Sequence, residues 1–144
     1  MSESETRNVE AVLAANQEFY RAFAQGDVKA MDALWAQAVS VACAHPGAPL
    51  LVGREPVLES WRSILTAPGA PKINCFGAQA HMLVGAAYVT CYERLGARGP
   101  VLLATNVYVW EANAWRMAHH HAGPTPAPPP APVQDDDAGG VVLH

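Results

Sequence analysis

The chain has 144 residues, a formal net charge of −4, 51% hydrophobic residues and 15% charged ones. That length fits one domain with a real core, and the composition excludes a largely disordered chain. The acidic balance offers no cationic excess for phosphates, so nucleic acid is not an expected partner.

Residues 1–7 are polar and are expected to be a flexible N-terminus. They lack the basic start and apolar run of a secretory signal. No apolar stretch approaches the roughly 20 residues that cross a bilayer, so no membrane partner is expected. Cys43, Cys75 and Cys91 are an odd, scattered set without a CxxC pair. They read as free thiols in a reducing compartment, which makes a cytoplasmic location the expectation.

Val9, Val12, Leu13, Phe19, Tyr20 and Phe23 recur at spacings of three and four, which predicts an amphipathic helix over residues 6–25. Asn16 is the one polar member of that stripe. Gly26 suits a left-handed helix end and Asp27 a helix cap, so a short second helix ends near Ala36. Val39–Cys43 and Leu50–Val52 read as short strands around a Pro/Gly loop at His45. Gly53-Arg54-Glu55-Pro56 opens a third helix, which Pro68 and Pro71 end. Strands are expected at 72–80, 82–95, 101–111 and 115–122, with a hairpin loop at 96–100 and a tight turn at Ala112-Asn113. From Pro124 the composition becomes Pro/Ala-rich and then acidic, and residues 124–144 are expected to be a disordered tail. The order predicts α+β: helices gathered on one face of an antiparallel sheet.

Three stretches carry a family resemblance. "FYRAFAQGDVKAMDALWA" is similar to a first helix, Gly-Asp junction and second helix. "CAHPGAPLLVGREPVLESWRSIL" matches a strand, loop and third-helix start, and "ATNVYVWEANAWRMAHHHAGP" a last hairpin. In this order they resemble the SnoaL-like branch of the nuclear transport factor 2-like superfamily, over residues 8–123. The resemblance implies a cone-shaped roll, also termed cystatin-like: three helices on a curved sheet, with an apolar pocket at the wide end. It implies a small-molecule ligand, and dimers through the outer sheet face. Members act as isomerases, cyclases, hydrolases, binding proteins or association modules, so fold alone does not choose.

Residues alternate faces along a strand. If Glu111 opposes Ala114, Asn106 lies near His119 and Ala104 near His121. If Leu95 opposes Pro100, one face gathers Cys91, Glu93, Asn106, Tyr108, Trp110, Trp115, Met117, His119 and His121. The other face carries His120. The first face mixes apolar groups with buried polar ones, as a ligand pocket does. The expected ligand-binding residues are therefore Tyr20, Trp35, Trp61, Cys91, Glu93, Asn106, Tyr108 and His121. His45 and His119 are the candidates for moving a proton. In the steroid isomerase branch an Asp-Pro stands where this chain has His45-Pro46, and the oxyanion tyrosine falls nearest Phe19 or Tyr20. That mechanism is therefore not carried over. His119 and His121 share a face but supply only two ligands, so no metal is expected, and no cofactor motif is present. The leading expectation is a small-molecule pocket with acid–base chemistry on a compact apolar or carbonyl substrate. The alternative is a non-catalytic homodimeric association module.

Overall fold

A computed structural model describes residues 8–69 and 72–126. Residues 1–7, expected to be a flexible N-terminus, and 127–144, most of the expected disordered tail, lie outside the described residues. Helix α1 spans Val9–Gln25, α2 Val28–Leu34 and α3 Arg54–Thr66. The strands are β1 Ala42–Ala44, β2 Leu51–Val52, β3 Ile73–Met82, β4 Ala86–Leu95, β5 Val101–Glu111 and β6 Ala114–Pro124. The fold is the expected α+β arrangement of three helices on a curved sheet. Strand β6 runs one residue into the stretch read as tail.

The caps explain the helix ends. Asn8 Oδ1 accepts the Ala11 N–H at 2.9 Å and opens α1. Gly26 closes it at φ 65°, where a side chain would be strained. Asp27 Oδ1 accepts the Ala30 N–H at 3.1 Å and opens α2. The Arg54 guanidinium then binds the carbonyls of Asp32, Trp35 and Ala36 at 2.9, 2.7 and 3.1 Å, which fastens the start of α3 to the end of α2. These bonds meet carbonyls left open where α2 ends.

The sheet order is β2-β1-β6-β5-β4-β3, so β2 and β3 are edges. It is mixed rather than wholly antiparallel, because β1 runs parallel to β6. Residues Leu83–Gly85 form a turn inside the expected 82–95 strand and divide β3 from β4. The Ala112-Asn113 turn has both φ values positive (54° and 61°) and sets Glu111 opposite Ala114 as expected.

Beyond Tyr108↔Met117 the register departs from expectation. Ala118 is an extra residue on β6, so Val107 faces His119, Asn106 faces His120 and Thr105 faces His121. A bulge of one residue reverses the facing of all that follows it. His120 therefore points inward, with 1% exposure, and His119 and His121 are placed on the opposite face. The interior is filled by Phe19, Met31, Trp35, Trp61, Tyr108 and Met117, all fully buried. It is a packed core.

Candidate functional site

Four polar side chains are buried among these apolar groups: Asn16, Glu93, Asn106 and His120. Such burial costs stability unless hydrogen bonds replace the lost water. They do so here, and together with Tyr20 and Tyr108 they form one network. Asn106 Nδ2 donates to Asn16 Oδ1 at 2.9 Å and to the Tyr20 hydroxyl at 3.2 Å. The Tyr108 hydroxyl donates to the same Asn16 oxygen at 2.8 Å. The Tyr20 hydroxyl donates to Glu93 Oε2 at 2.6 Å. Its single proton is thereby committed, so the Cys91 thiol at 3.3 Å is the donor toward Tyr20.

The same accounting fixes the histidine tautomer. Asn106 Oδ1 can only accept, so His120 Nδ1–H donates to it at 2.5 Å. His120 Nε2 then carries a bare lone pair, 3.8 Å from Glu93 Oε2. Complete burial, with a smaller effect of the neighbouring histidines, lowers the His120 pKa to about 3. Burial also raises the Glu93 carboxyl, against a smaller opposing effect of the Tyr20 bond. The His120 imidazole is thus held neutral, and burial favours the neutral form of the Glu93 carboxyl beside it.

The network reaches the surface through a half-open cleft of about 300 Å³ between α1 and β3. Its apolar wall includes Leu13, Ala24, Ile73, Phe76 and Ala78. Asn16, Tyr20 and Cys75 bring polarity to it. The small side chains of Ala24 and Ala78 leave volume there. Strand β3 bulges at Gly77-Ala78, which breaks its regular pairing beside the cleft.

Of the residues expected to bind a ligand, Tyr20 lines this cleft. Cys91, Glu93 and Asn106 touch Tyr20 from within, and Tyr108 joins through Asn16. His45 lies on the far side of His120, ring centres 6.4 Å apart, with Nε2 at 3.0 Å from the Ser60 hydroxyl. Burial lowers its pKa. Trp61 fills the space between, 4.9 Å from the His45 ring and 5.6 Å from that of His120. Trp35 is core, bridged to Met117. His119 does not join the network: its Nδ1 lies 3.0 Å from the Ala42 carbonyl. His121 is exposed and its ring neighbours that of His119 at 6.3 Å. The bulge at Ala118 causes both departures. Asn16, Cys75 and His120 were missed as site residues. Asn16 alone carried a signal, as the polar member of an apolar stripe. Burial pushes the Cys43 thiol up to about 12, which leaves it un-ionised and unreactive. No group of three metal-ligating side chains gathers among the described residues.

The model of the SnoaL-like domain matches residues 12–128. The chain belongs to the SnoaL-like domain family. This SnoaL-like domain is 32% identical to a candidate dehydratase of the nuclear transport factor 2-like family from Streptomyces avermitilis. That likeness covers 85% of this chain and 99% of the other, with a TM-score of 0.76. It is 37% identical to a calcium/calmodulin-dependent protein kinase type II association domain, assigned as a candidate, from Thiobacillus denitrificans. There 78% and 93% of the two chains are covered, with a TM-score of 0.65. Over 112 residues it is 28% identical to the F-box protein SKIP8 of Arabidopsis thaliana, covering 78% of this chain. The chain spans 48% of the length of that curated relative. Among the described residues, no helix of this SnoaL-like domain is long and apolar enough to cross a membrane.

Proposed function

We propose that this SnoaL-like domain binds a compact small molecule in the α1–β3 cleft and handles a proton there. The observation that carries this reading is the position of Tyr20. Its side chain lines the cleft, and its hydroxyl donates at 2.6 Å to the buried Glu93 carboxyl. A ligand oxygen entering the cleft would meet a phenol backed by the buried Glu93 carboxyl and, behind it, the bare Nε2 of His120. Tyr20 would turn its single proton from Glu93 to the ligand oxygen, Glu93 and His120 Nε2 are the groups that exchange a proton behind it, and Asn106 fixes the orientation of both Tyr20 and His120. This inventory suits acid–base chemistry at a carbonyl or hydroxyl, of isomerase, cyclase, hydrolase or dehydratase type. The Streptomyces relative's description is in keeping with it.

A fragment screen by thermal shift tests the reading. Compact carbonyl compounds should raise the melting temperature of the natural chain. They should fail with Ala24→Phe, which fills the cleft from the helix side without touching the network. Equal shifts in both proteins would overturn it.

Self-association is a second reading, and it uses a different face. The outward side of β4 and β5 carries Tyr88, Tyr92, Val107, Val109 and Leu103, the last 46% exposed. The Thiobacillus relative is named an association domain, which supports the same reading. Ligand binding and assembly do not compete for the same surface.

A further inference from the structure

The hydrogen bonds around the α1–β3 cleft leave one buried donor unused. Asn106 Nδ2 can only donate, so the Asn16 atom it meets at 2.9 Å is the amide oxygen. The Tyr108 hydroxyl, at 2.8 Å, takes the second lone pair of that oxygen. The Tyr20 hydroxyl is equally saturated: it donates to Glu93 and accepts from Asn106 and Cys91. The Asn16 amide nitrogen is different. Its partner among the described residues is the Cys75 sulfur, 3.9 Å away. Sulfur is a weak acceptor and engages one N–H of the two. The other N–H has no partner among the described residues, although Asn16 is only 1% exposed. Asn16 and Cys75 both line the cleft, so the nitrogen end of the amide faces it. A buried donor left unpaired costs stability, and a ligand oxygen would relieve that cost.

The cleft holds no open charge to match an ion. Among the described residues, Arg21 is the one charged side chain in its lining, and Glu18 and Asp27 already bind it, at 2.6 and 3.2 Å. A charged ligand would therefore lose hydration without gaining a counter-charge. A hydroxyl at the inner end would bring a proton for which Asn16 Oδ1 and Tyr20 have no lone pair left. Gln17 and Asn74 also line the cleft, but both are exposed and meet water.

We infer that the cleft selects a neutral carbonyl compound, its oxygen accepting the free N–H of Asn16 and its apolar body lying between α1 and β3. This inference rests on the reading of the cleft as a small-molecule site. Binding through Asn16 breaks no existing bond, whereas Tyr20 must first release Glu93. The two donors thus divide holding the oxygen from handling the proton. The volume of about 300 Å³ admits roughly ten non-hydrogen atoms, at about 30 Å³ each.

The test titrates the full chain with acetophenone, α-methylstyrene, 1-phenylethanol and benzoate, close in shape and different at one group, by NMR. Acetophenone should move the side-chain amide signals of Asn16 and the backbone amide signals of residues 73–76. It should bind at least about threefold more tightly than each of the others, within the range of one neutral hydrogen bond. Asn16→Ala should cancel its advantage over α-methylstyrene. If that variant does not fold, the Asn16 side-chain signals of the natural chain decide alone. Equal or tighter binding of α-methylstyrene would overturn the Asn16 contact while leaving the cleft as a ligand site. Equal or tighter binding of 1-phenylethanol or benzoate would overturn the neutral carbonyl in the same way. Signals at Asn16 and residues 73–76 that move with none of these probes would remove the cleft reading itself, and this inference with it.

Discussion

His120 and Glu93 place a base and an acid together in the core, and each makes stability depend on pH in its own sense. The His120 pKa is depressed from 6.5 to about 3 in the fold. As pH falls below 6.5 the unfolded chain takes up a proton that the folded chain refuses, so His120 withdraws stability down to about pH 3. Glu93 is raised above 4.5, so its contribution is present at low pH and is lost as pH rises through its folded value. His120→Gln should therefore lose less stability than the natural chain between pH 6.5 and 5, by roughly 2 kcal/mol at about 1.4 kcal/mol per pH unit. Urea unfolding at each pH measures this; parallel acid limbs would show that His120 is not held neutral. At this scale the sequence was partly legible. Alternation along β4 and β5 puts Cys91, Glu93, Asn106 and Tyr108 on one inward face, and they meet there with Tyr20 of α1. Plain alternation turns His120 outward, because its true facing depends on a neighbour, Ala118, that looks ordinary.

That neighbour shows what elements reveal and conceal. Helix ends are written in side chains that cap, and Asn8, Gly26, Asp27 and Arg54 act where their chemistry predicts. The hairpin register is written in Ala112-Asn113. The bulge at Ala118 is written in nothing: alanine is compatible with a strand, and its φ is not positive. The bulge on β3 is different, since Gly77 sits at φ 66° and an added Cβ would lie 3.3 Å from Tyr92 Cδ2. Gly77→Ala should cost about 1–2 kcal/mol through left-handed strain. Because Phe76 and Ala78 flank it in the cleft wall, the same change should weaken ligand binding. Unchanged urea stability would mean that this strand can flatten without penalty.

For the molecule as a whole, the order of elements and the family likeness were sufficient to give three helices on a curved sheet. They did not give the parallel β1–β6 pairing, which joins strands far apart in sequence through contacts no local pattern encodes. Nor did they place the opening, which lies between α1 and the edge strand β3, while Trp35, Trp61 and Met117 pack the interior. The outer face makes a separate prediction. Sedimentation should find a dimer or larger assembly, and Val107→Glu should dissociate it while leaving cleft binding unchanged; a monomeric natural chain would remove the association reading. The claim that joins residue, element and molecule is that the α1–β3 cleft holds a ligand against Tyr20. A crystal structure of the untagged chain, read for density in that cleft, tests it most directly. Ordered ligand density within hydrogen-bond reach of the Tyr20 hydroxyl or Asn16 is the predicted result. A cleft closed by the side chains of α1 and β3, with ligand density elsewhere, would contradict it.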